Sequence, residues 1–280
     1  MTPKRVAYFG PAGTFTEEAA LRYAPDSELV PRPTIAAVAA AVTAGEAEEG
    51  VVPIENSMEG SVPATLDLLI HETSLFIRRE LVLPIEHCLL VRPATSEADI
   101  RVIYSHPQAL GQCRDYLERR FPQANVEAAM STAAAAEQVQ HGDATAAAIG
   151  TARAAQLYHL KVLARGIQDN PANMTRFVVL AHEDAPRTGD DMTSLCFSFG
   201  NDRPGLLYTV MGEFAQRNIN LAKVESRPTK QSLGEYIFLI DLHGHREDPL
   251  VKEAIESLRG KVSMLRVFGS YPRDVGPTNG

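Results

Sequence analysis

The first 165 residues alternate between short apolar segments and longer segments in which apolar residues recur every three or four positions. The first pattern is typical of buried strands and the second of amphipathic helices. This alternation predicts an α/β fold, in which a parallel or mixed sheet carries helices on both faces. The predicted strands span residues 6–9, 50–54, 76–81, 85–91, 100–104, 126–130, 146–150 and 178–181, and the predicted helices include 17–23, 34–47, 64–71, 114–120, 132–141 and 151–158. Residues 76–81 and 85–91 are expected to pair with each other.

The last part of the chain has a different pattern. Residues 181–193 are acidic and contain Pro186 and Gly189, which indicates a linker. Beyond it the strands and helices follow a βαββαβ order, which is ferredoxin-like. The predicted strands span 194–200, 222–227, 235–243 and 262–269, and the predicted helices span 205–217 and 249–259. We therefore expect two domains, at residues 1–182 and 193–272.

Polar turns follow several of the predicted strands directly. They span residues 10–16, 55–61 and 105–112, and a fourth polar stretch spans 166–177. Open α/β sheets place ligands at the carboxyl ends of their strands, although each turn by itself is equally typical of a helix cap. In the fourth stretch, Arg176 is suited to gripping a carboxylate and Thr175 offers a neutral hydroxyl donor. The pair suits an anionic substrate with a departing oxygen.

Composition narrows the function classes. The net charge of -8 and the pI near 5.5, without a basic run, disfavour a nucleic-acid partner. No Gly-Lys-Ser/Thr or GxGxxG motif supports a nucleotide, and no apolar span of membrane length occurs. Three dispersed cysteines indicate reduced thiols in a cytoplasmic protein. We expect no membrane, no nucleic acid, no metal and no cofactor.

Four motifs together resemble the prephenate dehydratase family. They are GPAGTFT at 10–16, PIENSMEGSV at 53–62, SHPQALGQC at 105–113 and NMTRF at 173–177. The resemblance implies two α/β subdomains in the manner of periplasmic binding proteins, at about 1–80 plus 170–185 and at 84–165, with the active site in their cleft. It also implies loss of carbon dioxide and hydroxide from prephenate, giving phenylpyruvate for L-phenylalanine biosynthesis. Arogenate dehydratase and a non-catalytic amino-acid sensor or binding protein stay open as alternatives.

The resemblance also implies roles for single residues. The family's reading makes Thr175 the expected donor to the departing oxygen. Our own mechanistic hypothesis makes Arg176 the clamp on the pyruvyl carboxylate and Glu55 a reserve acid. The remaining candidates are expected to hold the second carboxylate and the ring. The predicted substrate-binding residues are Thr14, Glu55, Asn56, Ser57, Ser105, Gln108, Asn173 and Phe177.

The C-terminal region resembles an ACT domain, a module that senses amino acids. The resemblance is carried by Glu225-Ser226-Arg227-Pro228 and by residues 201–207. It implies allosteric feedback by L-phenylalanine bound between the domains of two subunits, in a dimer or tetramer. The usual Gly-Ala-Leu-Val is Gly205-Leu206-Leu207-Tyr208 here, which leaves the effector open. The predicted effector-binding residues are Gly205, Leu206, Leu207, Asn220, Leu221, Glu225, Ser226, Arg227 and Pro228.

Overall fold

The computed structural model describes residues 3–200, 203–230, 234–274 and 276. The chain divides into two compact units, and neither is a continuous stretch. The first unit comprises residues 1–62, 81–177 and 276–280, and the second comprises 63–80 and 178–275. The predicted effector loop begins at Asn201 and Asp202, which lie outside the described residues. No helix of the described residues combines the length and the apolar character needed to cross a membrane.

The first unit is built on two sheets. The strands of the first sheet lie in the order β2-β1-β3-β11-β5, with β4 paired to β3, and those of the second in the order β10-β6-β9-β7-β8. Strands β5 and β11 run on into the second unit. The strands of the two sheets are β1 Arg5–Phe9, β2 Glu28–Arg32, β3 Glu49–Asn56, β4 Gly60–Ser61, β5 Phe76–Pro84, β6 Cys88–Val91, β7 Val102–Ser105, β8 Asn125–Ala128, β9 Ala146–Gly150, β10 Lys161–Ala164 and β11 Met174–Ala181.

The helices of the first unit cover these sheets and begin at side-chain caps. Thr14, Thr34, Ser131 and Thr151 each accept a hydrogen bond from a backbone N–H of the first turn, as short hydroxyl side chains commonly do. Alanines of α6 pack on alanines of β9, which brings that helix close to the second sheet. The helices are α1 Phe15–Tyr23, α2 Ile35–Thr43, α4 Pro107–Gln112, α5 Arg114–Arg120, α6 Thr132–His141 and α7 Ala152–Leu157.

Three sequence expectations are wrong. Strand β2 had no counterpart among the predicted strands, because Pro31 and Pro33 break its pattern; it is the outermost strand of the first sheet, where proline is tolerated. Strands β5 and β6 do not pair, since they belong to different sheets. Residues Thr175 to Phe177 also lie inside strand β11 rather than on the loop before it.

The second unit contains a four-stranded sheet with two helices in βαββαβ order. Its strands lie in the order β13-β14-β12-β15, and all three neighbouring pairs are antiparallel. The elements are β12 Asp191–Ser198, α8 Leu206–Gln216, β13 Leu221–Pro228, β14 Tyr236–His243, α9 Pro249–Arg259 and β15 Met264–Pro272. The segment 63–80 supplies α3, Pro63–Asp67, a π-helical turn at Leu68–Glu72 and the start of β5.

Gly269 shows how tightly this segment packs in the second unit. Its φ is +143°, and a Cβ at this position would overlap the carbonyl oxygen of Ile77 in β5. Only glycine allows the backbone of β15 to approach β5 so closely.

Candidate functional site

A cavity of about 850 Å³ lies within the first unit. It is lined by residues of β1, β3 and β11 in the first sheet and by the first turns of α1, α4 and α6. Three of the predicted polar turns therefore meet at one place, as their positions after strands suggested. Aromatic and aliphatic side chains supply much of the remaining lining, including Phe9, Phe15, Ile85 and Phe177.

Thr175 presents the hydroxyl group that sequence analysis singled out. The residue is 9% exposed and lines the cavity. Its Oγ1 accepts a hydrogen bond of 2.8 Å from the Asn56 side-chain amide nitrogen, and no other protein partner of this oxygen is found in the described part of the chain. The hydroxyl hydrogen of Thr175 is thus available to a bound molecule.

Asn56 stands at the end of β3 and connects Thr175 to further amides. Its Nδ2 atom also donates to Asn173 Oδ1 at 2.8 Å, and Asn173 Nδ2 donates to Gln112 Oε1 at 3.0 Å. The Nε2 atom of His87 lies 2.9 Å from the same Gln112 oxygen. The network consists of the Thr175 hydroxyl, three neutral amides and the His87 imidazole, so it contains no permanently charged side chain.

The His87 imidazole is 2% exposed and packs edge-on against the Phe15 ring at 5.5 Å. Its Nδ1 atom is buried and has no hydrogen-bond partner among the described residues. Burial lowers the pKa of His87, and the hydrogen bond with Gln112 opposes this effect only in part. His87 is therefore held neutral.

Arg32 is the one side chain with a full charge among the described residues that line the cavity. It ends strand β2, and its Nη2 donates to Glu46 Oε2 at 2.5 Å. Its Nε atom is buried without a partner in the described structure. A permanent planar cation at the wall of a cavity is suited to a carboxylate.

The predicted substrate-binding residues fall into two groups. Thr14, Asn56, Gln108 and Phe177 line the cavity together with Thr175. The remaining candidates have other partners: Arg176 pairs with Glu55 at 3.0 Å, Ser57 Oγ accepts from Met174 N at 2.9 Å, Ser105 Oγ donates to Ile149 O at 2.8 Å, and Asn173 bonds Asn56 and Gln112. None of these residues lines the cavity, and their direct roles toward substrate stay predictions.

Of the cavity side chains that were not among the predicted site residues, three are part of the hydrogen-bond network or carry charge. Gln112 lies in the motif at residues 105–113, but motif membership did not reveal its partners. Arg32 sits in a proline-rich segment that did not resemble a strand, and His87 is an isolated histidine in an apolar run. No sequence signal distinguishes these two from ordinary structural residues.

The predicted effector motif, Glu225-Ser226-Arg227-Pro228, lies in the second unit. Arg227 Nη2 donates to Asp67 Oδ1 of α3 at 2.6 Å, and Lys230 Nζ donates to Asp67 Oδ2 at 2.7 Å. Burial raises the pKa of the Asp67 carboxyl, but the Lys230 hydrogen bond and the charge of Arg227 outweigh it and hold the pKa below its ordinary value. Gly205 caps α8 with φ +90° and offers no capping side chain. We call Asp67, Arg227 and Lys230 the ion cluster.

Comparison with known proteins identifies the family. The prephenate dehydratase family model matches residues 6–185, and the ACT domain model matches residues 197–260. The chain belongs to the prephenate dehydratase family. A prephenate dehydratase from Amycolatopsis methanolica is 43% identical, over 97% of this chain and 90% of the relative. A bifunctional chorismate mutase/prephenate dehydratase from Aquifex aeolicus is also 43% identical, over 96% of this chain and 74% of the relative.

Solved structures agree with this assignment. A prephenate dehydratase from Arthrobacter aurescens in complex with L-Phe is 38% identical and has a TM-score of 0.89, covering 96% of this chain and 90% of that one. A structure described as GqqA, a novel type of quorum quenching acylase, is 33% identical with a TM-score of 0.88, covering 97% of this chain and 99% of that one.

The fold class is confirmed, with two α/β sheets of the prephenate dehydratase kind followed by an ACT domain. The enzyme class, a carbon-oxygen lyase of the prephenate dehydratase family, is confirmed as well. The exact domain boundaries and the cytoplasmic location stay predictions.

Proposed function

We propose that this protein converts prephenate to phenylpyruvate, carbon dioxide and water. The observation that carries the proposal is the Thr175 hydroxyl, which lines the cavity and already accepts a hydrogen bond from Asn56. Its own hydrogen is therefore available to a ligand, as departure of the prephenate hydroxyl requires. Family membership supports the same reaction.

The reaction breaks two bonds of the substrate ring. The electron pair of the bond to the ring carboxylate enters the ring as carbon dioxide leaves, and the bond to the ring hydroxyl breaks on the opposite side. The ring becomes aromatic, which supplies the driving force. Thr175 donates a hydrogen bond to the departing oxygen, which takes a proton from solvent and leaves as water. An apolar wall near Phe15 and Phe177 solvates the ring carboxylate poorly and favours its loss.

We assign the carboxylate clamp to Arg32 in place of Arg176. Both arginines pair with a carboxylate, Arg32 with Glu46 and Arg176 with Glu55, but only Arg32 is among the described residues that line the cavity. No carboxylate side chain is found among the described lining residues. The ammonium group of arogenate would have no counter-charge here, whereas the keto group of prephenate needs none. This observation favours prephenate over arogenate.

The similarity to a structure described as an acylase raises amide hydrolysis as another activity. A hydroxyl nucleophile needs a base within hydrogen-bond reach. Thr175 bonds Asn56 instead, and the two histidines at the cavity bond Gln112 and the backbone N–H of Gln108. The described cavity residues thus offer no nucleophile and base pair, and we favour the lyase reaction.

Phenylpyruvate formation by the purified protein tests the proposal. Prephenate and arogenate are supplied in parallel, and the products are separated and quantified. We expect turnover of prephenate and at least tenfold lower kcat/KM on arogenate, since an unpaired buried charge costs more than 1.4 kcal/mol. Turnover of arogenate alone would make arogenate the substrate. Turnover of neither compound would favour the alternative function, a non-catalytic amino-acid sensor.

We further propose that L-phenylalanine binds the second unit and lowers the activity. The support is the ACT match, the relative solved in complex with L-Phe, and the loop before α8, whose Gly205 leaves first-turn N–H groups without a side-chain cap. The predicted residues Leu206, Leu207, Asn220 and Leu221 flank this loop and strand β13. A free amino acid offers the carboxylate that such N–H groups bind.

Binding between the units of two subunits would make the protein a dimer or tetramer. Size-exclusion chromatography with light scattering, with and without L-phenylalanine, tests this assembly. A monomer under both conditions would contradict it, and inhibition that persists in a monomer would place the effector within one chain.

A further inference from the structure

The hydrogen-bond network behind Thr175 has a direction, and the backbone sets it. Asn56 Oδ1 accepts from the backbone N–H groups of Met58 at 2.9 Å and Glu59 at 3.1 Å. A backbone N–H is only a donor, so the atom that receives both bonds must be the amide oxygen. The NH₂ group of Asn56 consequently faces Thr175 and Asn173. A half-turn of this amide is excluded.

The direction passes along the next two amides. Asn173 Oδ1 accepts from the Asn56 NH₂ group, which leaves the Asn173 NH₂ group to donate to Gln112 Oε1. Since Gln112 presents its oxygen to Asn173, the His87 nitrogen at 2.9 Å from that oxygen must carry a proton. His87 is thereby fixed as the tautomer protonated at Nε2.

A second observation agrees with this tautomer. His87 Nδ1 is buried without a partner among the described residues. A buried acceptor without a donor is tolerated more often than a buried N–H without an acceptor. A bare Nδ1 is thus the less costly arrangement, and protonating it would bury an unpaired N–H together with a charge.

We propose that Asn173, Gln112 and His87 are positioning residues that hold the Asn56 NH₂ group, whose orientation Met58 and Glu59 set, in place against Thr175, so that Thr175 donates its own hydrogen to the substrate. This proposal rests on the proposed lyase function and deepens it. Without these three side chains, the Asn56 amide keeps its bonds from Met58 and Glu59 and to the Met174 carbonyl, but the Asn173 acceptor beside Thr175 is no longer held in place. Positioning errors of about 1 Å in an active site cost roughly 10²-fold in rate.

The tautomer of His87 tests the hydrogen-bond network from Asn56 to His87 independently of catalysis. Protein labelled with ¹⁵N-histidine is examined by two-bond ¹H–¹⁵N correlation spectroscopy near pH 7.5, and His87→Gln identifies the signal. We expect a non-protonated Nδ1. In Asn173→Asp the new carboxylate has no N–H to donate, so the Gln112 amide turns over and presents its NH₂ group both to that carboxylate and to His87 Nε2, which must then accept. We expect perturbation of the His87 signal there, with the proton shifted toward Nδ1.

Two outcomes contradict the proposed hydrogen-bond network. A wild-type protein with the His87 proton on Nδ1 contradicts the inferred direction. An Asn173→Asp variant with an unchanged His87 signal contradicts transmission through Gln112. If the wild-type protein makes no phenylpyruvate, the proposed function fails while this spectroscopic test still decides the chain.

Kinetics at Gln112 test the positioning role. Gln112→Leu removes the acceptor for both Asn173 and His87, and we expect kcat to fall by about 10-fold to 10²-fold with little change in KM. Gln112→Glu keeps an acceptor oxygen for both donors and should retain a kcat within about 10-fold of wild type. Gln138→Leu, on an exposed position of α6, is the matched control and should behave as wild type.

An unchanged kcat in Gln112→Leu overturns the positioning role. So does a Gln112→Glu variant that is as slow as Gln112→Leu, because the retained acceptor then gives no rescue. A rise in KM alone assigns Gln112 to substrate binding instead. Should Gln112→Leu fail to fold, the Gln112→Glu variant and the wild-type tautomer still decide the proposal.

Discussion

The two motif regions use different chemistry to hold their key residue. At the cavity, Thr175 is held by neutral amides whose direction is fixed by backbone N–H groups. At the motif Glu225-Ser226-Arg227-Pro228, Arg227 is held by the carboxylate of Asp67, which also accepts a hydrogen bond from Lys230. Neutral hydrogen bonds are nearly independent of ionic strength, whereas added salt weakens the pair of Asp67 with the exposed Lys230, and the more buried pair with Arg227 less so. The first arrangement suits constant geometry and the second suits adjustment.

Both motifs also contain an arginine that sequence analysis offered as a ligand for an anion. In the structure each is paired with a carboxylate of its own unit, Arg176 with Glu55 and Arg227 with Asp67. A motif therefore specifies the residue type but not its partner. The cation at the cavity is Arg32, which belongs to neither motif.

The largest effect is expected at the neutral network. Thr175→Ala removes the donor to the departing oxygen and should lower kcat by about 10²-fold to 10⁴-fold, with KM little changed. Steady-state phenylpyruvate formation measures both constants. Thr175→Ser keeps the hydroxyl and serves as the control. Near-normal turnover by the alanine variant would remove Thr175 from the mechanism.

The next effect is expected at the cavity cation. Arg32→Gln removes a charge-assisted bond to the substrate carboxylate, and KM should rise about 10-fold to 10²-fold. Arg114→Gln is a matched control, because Arg114 is 73% exposed and, among the residues that the structure describes, its ion pair is with Glu118 on the surface. If Arg176→Gln raises KM and Arg32→Gln does not, the clamp returns to Arg176.

A smaller effect is expected at the ion cluster. We infer that the carboxylate of L-phenylalanine, besides binding the first-turn N–H groups of α8, competes with Asp67 for Arg227. Asp67→Asn should then lower the concentration of L-phenylalanine needed for half-inhibition by about threefold to tenfold, within the usual range of allosteric coupling. Inhibition curves measure this shift, and Asp26→Asn at an exposed position is the control. Weaker inhibition would mean that Asp67 helps to form the effector site.

The smallest effect concerns acid stability. Burial lowers the pKa of His87 below its ordinary value of 6.5, so the unfolded chain takes up a proton before the folded protein does. The free energy of unfolding therefore falls as the pH drops from 6.5 toward the folded pKa. Urea unfolding between pH 7.5 and pH 5 should show a shallower decline for His87→Gln. An equal slope in both proteins would mean that His87 titrates normally.

Sequence reasoning located the cavity because its motifs lie at strand ends, which is a property of local order. The turn at Thr14, the end of β3 at Asn56 and the first turn of α4 at Gln108 all line it. It did not locate Gln112, His87 or Arg32, because their roles depend on partners far away in the chain. Strand β2 was missed for a local reason, since prolines are normally excluded from strands but tolerated at a sheet edge.

The division of the chain carries a consequence for truncation and for synthesis. Residues 63–80 belong to the same compact unit as residues 178–275, and Gly269 lets their backbones approach closely. A cut made between the two family matches, after residue 185, would leave helix α3 and the start of β5 without the sheet they pack on. On the ribosome that segment emerges long before its partner, so the second unit completes its folding only after residues 178–275 have emerged as well.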